Sequence, residues 1–214
     1  MSGLVIGVTG LPCAGKSLAA RLLADGEVTG EPGTLVKADD VGHEVLVRPA
    51  VLKRLCERFG DGIVNGDPAE TRRRIAAVVF ANPAELAWLE GVVHPLVTAE
   101  LDRVMADAAG KRQVVVEAAL LTAAGMDLKC DVIVTVEADF SIRMKRAAGR
   151  GWDRHELERR DSRLRELFEP ARLGSDEDKL VYVRNDADDN RLAVRMREAL
   201  RHHIKISESG KDKK

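Results

Sequence analysis

The sequence predicts an α/β protein built in three layers, with a parallel sheet between two layers of helices. Short apolar runs rich in β-branched residues recur along the chain, and stretches of helical periodicity separate them. Continuous apolar strands of this kind are typical of a parallel sheet that helices cover on both faces. A glycine-rich turn joins the first apolar run to the first helical stretch. The chain has 214 residues, which is enough to bury one sizeable core.

Five runs are predicted as strands. The first covers residues 4–9 and directly precedes the glycine-rich turn, and the run at residues 130–136 is the most β-branched of all. The second strand, residues 35–38, follows a stretch that contains Gly and Pro, which favours a turn at its start. The remaining two runs lie at residues 113–117 and 180–183.

A long block between the second and third strands has the periodicity of helices. Apolar residues recur three and four positions apart in residues 51–59, 70–80 and 83–109, and Asn82 with Pro83 favours a helix start there. The block as a whole, residues 46–100, is too long for an ordinary connection between parallel strands. It is therefore predicted to be a helical insertion.

A second departure from the alternation of strands and helices comes after the fourth strand. Residues 146–178 are crowded with arginines that interleave with acids. Most of these arginines are interpreted as members of surface ion pairs on a helix. Residues 207–214 are polar, and we expect them to form a frayed end.

The overall composition excludes several classes of protein. Lys and Arg number 34 against 35 Asp and Glu, so the chain lacks the charge of a polyanion-coating protein. Aromatic residues make up only 3%, which disfavours base-stacking platforms for single-stranded nucleic acid. The three cysteines have neither zinc nor disulfide spacing, and we find no apolar stretch long enough to span a membrane. We therefore expect a cytoplasmic protein with no nucleic-acid or membrane partner. A small-molecule substrate and a monomeric or weakly homo-oligomeric state are separate expectations that composition does not decide.

The glycine-rich turn, residues 10–17, matches the phosphate-binding pattern G-x-x-x-x-G-K-[ST]. Its glycines allow backbone N–H groups to surround phosphate oxygens at the positive end of a helix dipole. Lys16 is expected to reach the β- and γ-phosphates, and the Ser17 hydroxyl to bind Mg²⁺. Cys13 is interpreted as a small residue that fills a loop position rather than as a redox site. The predicted contacts to the nucleotide are Gly10, Cys13, Ala14, Gly15, Lys16 and Ser17 in this segment and Leu18 directly after it.

Two carboxylates are expected at the ends of strands, on the edge of the sheet where α/β proteins bind ligands. Asp39 follows the second strand and could accept a proton from an attacking hydroxyl, or it could cap a helix that begins at Asp40. Lys37, two residues earlier, should point to the same side and either hold Asp39 ionised, meet a phosphate or be solvated. Glu117 ends the third strand and is predicted to assist the metal, with capping of the following helix as the alternative.

Basic residues after the fourth strand could stabilise transferring phosphate. Arg146 and Arg150 are spaced by one helical turn, so both could close over the phosphates and offset transition-state charge. By default, His43 and His94 are interpreted as ordinary core or surface histidines, since a lone histidine is a weak signal.

Taken in order, these segments resemble the bacterial dephospho-CoA kinases over residues 4–200. The phosphate loop matches in place, and the segment after the second strand matches as Asp39, followed by an apolar residue and His43. Further matches are a Phe-Gly element at 59–60, an arginine-to-phenylalanine signature at 72–80, a His-Pro pair at 94–95, an acid followed by Leu-Leu at 117–121, Arg146 with Arg150, and Asn185.

The resemblance implies ATP-dependent phosphorylation of the ribose 3′-hydroxyl of dephospho-CoA, with Mg²⁺ as the metal. It implies that Asp39 is the catalytic base and that Lys16 and Arg146 stabilise the phosphates. It further implies that Arg150 and Asn185 contact the nucleotide. The implied acceptor-site residues are His43, Arg72, Phe80, His94, Pro95 and Leu120.

The resemblance also implies a P-loop kinase fold with a helical substrate domain and a lid. The helical domain would be residues 46–100 and the lid residues 146–177, with 207–214 as a tail. The nucleotide-binding core would then comprise residues 1–45, 101–145 and 178–206.

Among the departures from the family pattern, Lys37 replaces an acid, Ala119 a proline and Ala123 an acid. A nucleoside or nucleotide kinase of the same fold is therefore one alternative, because a phosphate loop and lid arginines would serve it equally well. A catalytically degenerate nucleotide-binding switch is another, since a fold does not fix a function.

Overall fold

The computed structural model describes residues 3–108, 112–119, 121, 126–167, 177–186 and 189–204. Within these residues the chain forms five strands, β1 (Leu4–Gly10), β2 (Thr34–Lys37), β3 (Gln113–Glu117), β4 (Val132–Glu137) and β5 (Leu180–Arg184). The helices are α1 (Lys16–Ala24), α2 (Ala38–Leu46), α3 (Pro49–Phe59), α4 (Pro68–Ala81), α5 (Pro83–Ala108), α6 (Phe140–Ala148), α7 (Arg154–Leu167) and α8 (Asp189–Leu200).

The five strands form one parallel sheet in the order β2-β3-β1-β4-β5. Each predicted strand is present, and its bounds differ from the expected ones by two residues at most. The expected α/β class with a parallel sheet is confirmed. Because all strands run the same way, their carboxyl ends lie along one edge.

The chain divides into two compact units. The first, the sheet unit, comprises residues 1–37 and 104–214, and the second, the helical unit, comprises residues 38–103. In the sheet unit, α1 and α8 cover one face of the sheet, where Leu23 and Met196 pack with Ile6 and Val134. All four of these side chains are fully buried, so this face carries much of the apolar core.

The helical unit is built from α2, α3 and α4 with most of α5. Pro49 and Pro68 begin α3 and α4 at a position where a proline costs no helical hydrogen bond. The Asp67 carboxylate caps α4 by accepting the Glu70 N–H at 2.8 Å, and this bond lowers the pKa of Asp67. The expected start of α5 is confirmed, since Asn82 Oδ1 accepts the Ala84 N–H at 3.0 Å.

An edge-to-face aromatic pair joins α3 to α5 in the helical unit. The rings of Phe59 and Trp88 lie 5.6 Å apart at 88°, and the Arg58 guanidinium stacks 4.7 Å from the Trp88 ring. Arg58 also donates to Glu85 at 2.5 and 3.1 Å, which lowers the pKa of Glu85. None of the helices within the described ranges is long and apolar enough to cross a membrane.

Candidate active site

The phosphate loop between β1 and α1 depends on two glycines. Gly10 has a φ of 141°, and a Cβ there would lie 2.2 Å from the Val136 carbonyl oxygen. Gly15 has a φ of 106°, and a Cβ there would lie 2.1 Å from the Asn185 amide nitrogen. No other residue fits these two backbone positions without displacing a neighbour. Glycine is thus required at both positions for two reasons: the backbone has a positive φ, and neighbouring atoms leave no room for a Cβ.

Side chains from α6 and from the end of β5 hold the loop carbonyls. Arg146 Nη1 donates to the carbonyls of Cys13 at 3.3 Å and Ala14 at 3.1 Å, and its Nη2 donates to the Asn185 carbonyl at 2.9 Å. The buried Asn185 Nδ2 donates to the Ala14 carbonyl at 2.8 Å. A trans peptide points its C=O and the next N–H in opposite directions, so these bonds turn the Gly15 N–H away from α6 and β5.

The amino end of α1 adds further donors at the same place. The helix α1 begins at Lys16, so the positive end of its dipole lies at the loop. The Lys16 ammonium lies at the loop as well, since Nζ donates to the Leu11 carbonyl at 3.4 Å. N–H groups, an ammonium and a helix N-terminus together make a site for a phosphate group.

A hydroxyl and a carboxylate adjoin the loop and fit a magnesium ion. Ser17 Oγ donates to Glu117 Oε1 at 2.5 Å, and Glu117 Oε2 is buried with no hydrogen-bond partner among the described residues. Mg²⁺ prefers oxygen ligands and takes one or two from the protein and the rest from phosphates and water. Within the described part of the chain no group of three or more His, Cys, Asp or Glu could hold a metal. An ion held by Ser17 and Glu117 would take its remaining ligands from phosphates and water.

Lys37 and Asp39 are related differently from the expectation. β2 ends at Lys37, and Asp39 lies in the first turn of α2, so strand alternation does not place the two side chains on one side. The alternative, that Asp39 caps a helix beginning at Asp40, is also wrong because α2 begins at Ala38. Lys37 is instead the register partner of Glu117 on the neighbouring strand. Asp39 is exposed, on a helix end that favours a negative charge.

Arg150 does not share a helix with Arg146. The helix α6 ends at Ala148, so Arg150 lies in the turn that follows, where it is exposed and stacks 5.5 Å from the Trp152 ring. The expected one-turn spacing of the two arginines on one helix is therefore wrong. The lid expected over residues 146–177 includes α7 and stays a prediction.

The helical unit contains five of the residues predicted to bind the acceptor. His43 is exposed on α2, and Phe80 is 55% exposed near the end of α4. Arg72 is half-buried on α4, and its charge contributes to lowering the pKa of Asp67. The remaining two, the half-buried His94 and the exposed Pro95, lie in the middle of α5. Leu120 and Ala123 lie outside the described residues.

Arg143 was not predicted as a functional residue from the sequence, and it is almost fully buried. Its side chain is 3% exposed and donates to Asp161 on α7 and to the Pro12 carbonyl in the phosphate loop. A usable signal was present, because Arg143 falls on the apolar stripe of α6 formed by Phe140, Met144 and Ala147. A charged residue on an apolar stripe has to find a buried partner.

A second missed network fixes the chain next to Asn185. Arg184 donates to Asp186 Oδ2 and to Asp139 Oδ1, each at 2.6 Å, and Asp186 Oδ1 accepts the Asp139 N–H at 2.9 Å. The hydrogen bond from Arg184, and then that from the Asp139 backbone, lower the pKa of Asp186. Arg184 and Asp186 are the two chain neighbours of Asn185, and both bond to Asp139, which directly precedes α6. The network therefore fixes the chain on both sides of Asn185, whose side chain holds the phosphate loop.

Comparison with known proteins identifies the family. The model of the dephospho-CoA kinases matches residues 4–166. The chain belongs to the dephospho-CoA kinase family. A dephospho-CoA kinase of Rhodopirellula baltica is 36% identical over 165 residues, which covers 74% of each chain. Another, of Methylococcus capsulatus, is 34% identical over 186 residues, covering 86% of this chain and 90% of the relative.

Solved structures agree with this fold. The structure of TT1252 from Thermus thermophilus has a TM-score of 0.70 at 24% identity and covers 91% of this chain and 95% of its own. Thymidylate kinase from Candida albicans has a TM-score of 0.52 at 12% identity over 94% of this chain and 92% of its own. At these identities the likeness shows the fold alone, and the expected P-loop kinase fold is confirmed. The expected resemblance to dephospho-CoA kinases and the phosphotransferase class are confirmed by the family match.

Proposed function

We propose that this chain transfers the γ-phosphoryl group of ATP to the ribose 3′-hydroxyl of dephospho-CoA, giving coenzyme A and ADP. One observation carries the proposal: a single family match, over residues 4–166, spans both the phosphate loop and the whole helical unit. A nucleotide-dependent switch would need the loop but not a helical unit related to that of dephospho-CoA kinases. The two relatives described above carry the name of this activity.

On the donor side, the phosphate loop would bind the triphosphate of ATP. The N–H of Gly15 and those at the start of α1 would face its oxygens, and the Lys16 ammonium would neutralise the β- and γ-phosphates. Arg146 would keep the loop in its binding conformation through the carbonyls of Cys13 and Ala14, and its charge would favour the transition state.

Ser17 and Glu117 would hold Mg²⁺ at the phosphates. The ion, when bound, supplies positive charge that offsets the charge on the transferring group. The protein's part is to present the Ser17 hydroxyl oxygen and the carboxylate. The 2.5 Å bond between Ser17 Oγ and Glu117 Oε1 shows that the two groups already lie side by side.

On the acceptor side, Asp39 would take the proton of the attacking 3′-hydroxyl as the oxygen bonds to the γ-phosphorus and the bond to ADP breaks. A carboxylate is a common proton acceptor for an attacking hydroxyl, and the exposed Asp39 is open to one. The exposed Phe80 and the basic Arg72 on α4 would bind the acceptor, together with His43, His94 and Pro95.

We place the protein in the cytoplasm. Cys13, Cys56 and Cys130 are free thiols, which suits a reducing compartment. Burial raises the pKa of Cys130 to about 12, so that thiol is inert.

The proposal is tested by measuring ADP release with a coupled assay across three acceptor conditions: dephospho-CoA, a panel of nucleosides and nucleotides, and no acceptor. Turnover with dephospho-CoA alone is expected. Turnover with nucleosides or nucleotides instead would favour a nucleotide kinase of the same fold, and ADP binding without turnover on any acceptor would favour a switch.

A further inference from the structure

A buried ion pair between α6 and α7 has no part in the mechanism described so far. Arg143 Nη1 donates to Asp161 Oδ1 at 2.7 Å and Arg143 Nη2 to Asp161 Oδ2 at 2.6 Å. The side chains are 3% and 10% exposed. A buried pair of this kind loses so much hydration that apolar residues of similar size often serve stability as well or better. Stability alone is therefore a weak reason for its presence.

The guanidinium of Arg143 makes one contact that an apolar pair could not make. Its Nη1, besides bonding to Asp161, donates to the Pro12 carbonyl at 3.2 Å. Pro12 belongs to the phosphate loop, while Asp161 belongs to α7. Since a carbonyl and the next N–H point in opposite directions, holding the Pro12 carbonyl also orients the Cys13 N–H.

Cys13 has a backbone conformation that is unfavourable for a residue with a side chain. Its φ is 59°, and within the described residues it is the one residue other than glycine with a positive φ. Such a residue persists only where its surroundings impose the conformation. Here the carbonyl before it is held by Arg143 and its own carbonyl by Arg146. Its side chain packs against Ala147 and Leu157 on the two helices that carry the ion pair.

We propose that Arg143 and Asp161 are a positioning pair, through which α7 holds the Pro12 carbonyl and keeps Cys13 at positive φ, so that the phosphate loop is shaped for nucleotide before it binds. Two hydrogen bonds to Asp161 fix the orientation of the Arg143 guanidinium, and the guanidinium in turn holds the loop through the Pro12 carbonyl. Without the pair, Cys13 would relax to a negative φ and nucleotide would have to bend the loop back. This inference rests on the proposed binding of nucleotide at the loop.

The test uses affinity for ADP, measured by calorimetry, and the thermal midpoint of unfolding. The double variant Arg143→Met/Asp161→Leu replaces the pair by apolar residues and keeps the packing. We expect its midpoint to stay near that of the wild type while the Kd for ADP rises about tenfold, which equals about 1.4 kcal/mol. Adding Cys13→Gly should restore most of the affinity, because glycine adopts positive φ without restraint.

A second variant covers the case in which the apolar pair fails to fold. Arg143→Lys keeps a positive charge beside Asp161 but loses the two-pronged geometry, and its loss of ADP affinity should likewise be reversed by Cys13→Gly. The matched control is Arg159→Met on the exposed face of α7, where Arg159 makes a two-bond pair with Glu156 at 2.9 and 3.0 Å. This control should leave the Kd for ADP unchanged.

Three outcomes would overturn the inference. The first is unchanged ADP affinity in the folded apolar variant, and the second is a loss that Cys13→Gly does not reverse in either background. The third is an equal loss in Arg159→Met. Because ADP binding needs no acceptor, these outcomes are independent of the choice between acceptors. A wild-type chain that binds no ADP would contradict the proposed function and this inference with it.

Discussion

The two units of the molecule present their functional residues in different ways. In the sheet unit, Arg146 and Asn185 are held by hydrogen bonds to the phosphate loop, and Ser17 by one to Glu117. In the helical unit, Asp39 and Phe80 are exposed on helix surfaces. The donor site is thus formed largely by backbone geometry that other side chains enforce. The residues proposed to act on the acceptor would do so through exposed side chains.

This contrast separates the expected effects of mutations. Changes to the residues that form or hold the phosphate loop in the sheet unit should alter nucleotide binding, metal binding or the stability of the loop. Changes at the exposed positions of the helical unit should alter the chemical step or the use of dephospho-CoA, while ADP affinity and folding stay unchanged.

The largest effect is expected for Lys16→Ala. Removing the ammonium from the phosphates should lower kcat at least about a hundredfold, as the loss of a transition-state donor does in other enzymes. Steady-state kinetics with ATP and dephospho-CoA provide the measurement. Arg21→Ala is the control, because Arg21 is an exposed cation on the same helix. Equal losses in both variants would contradict a specific role for Lys16.

Asp39→Asn should also lower kcat by about a hundredfold, the scale of general base catalysis. Asp40→Asn is a closely matched control, since Asp40 is the next residue, equally exposed and in the same first turn of α2. The Kd for ADP should remain unchanged in both variants. Near-normal turnover in Asp39→Asn would remove its assignment as the base.

Glu117→Gln tests the metal site in the sheet unit. The amide cannot supply the charge of a carboxylate, so the Mg²⁺ concentration needed for half-maximal ADP binding should rise about tenfold. Calorimetric titration of ADP at several Mg²⁺ concentrations measures this without turnover. ADP binding in the absence of Mg²⁺ serves as the internal control, and an unchanged Mg²⁺ requirement would exclude Glu117 as a ligand.

Phe80→Ala should affect only the acceptor. Loss of an exposed aromatic contact is expected to raise the KM for dephospho-CoA by about tenfold and to leave the KM for ATP unchanged. Leu128→Ala is a control for loss of exposed apolar surface, because Leu128 is 78% exposed in the sheet unit. If Phe80→Ala raised the KM for dephospho-CoA and the KM for ATP equally, a role of Phe80 in binding only the acceptor would be contradicted.

The smallest effect concerns pH. The pKa of Asp186 is lowered in the folded protein, mainly by the hydrogen bond from Arg184. A carboxyl whose folded pKa is lowered stabilises the fold above its ordinary pKa of about 4, and this stabilisation disappears as pH falls through the folded pKa. Asp186→Asn should therefore make the decline of the thermal midpoint between about pH 5 and pH 2 shallower. Arg184→Gln should do the same, and an unchanged slope in both would exclude the pair as a source of acid sensitivity.

The sequence predicted the elements of the fold because periodicity and turn residues are local. All five strands and the start of α5 at Pro83 follow from such patterns. Glu117 was placed correctly at the end of β3 for the same reason. The placement of Asp39 on the same side as Lys37, and the helix start at Asp40, were predicted wrongly because α2 begins immediately after β2, with no turn residue to mark the boundary.

The parts that the sequence did not predict depend on contacts between distant segments. Arg143 and Asp161 are 18 residues apart, and Arg143 and Pro12 are 131 apart. Among so many arginines that interleave with acids, no local pattern marks the buried one except its place on an apolar stripe. The positive φ of Cys13 could not be predicted either, because a small residue is compatible with a loop position at positive or negative φ.

The most direct test of the account is the identity of the phosphorylated product. Wild-type protein is incubated with ATP, Mg²⁺ and dephospho-CoA, and the product is examined by two-dimensional proton–phosphorus NMR. We predict one new phosphomonoester whose phosphorus couples to the ribose H3′, formed in step with ADP and absent in the Asp39→Asn variant. A phosphorus coupled to another ribose proton, or ADP formed without any new phosphomonoester, would contradict it.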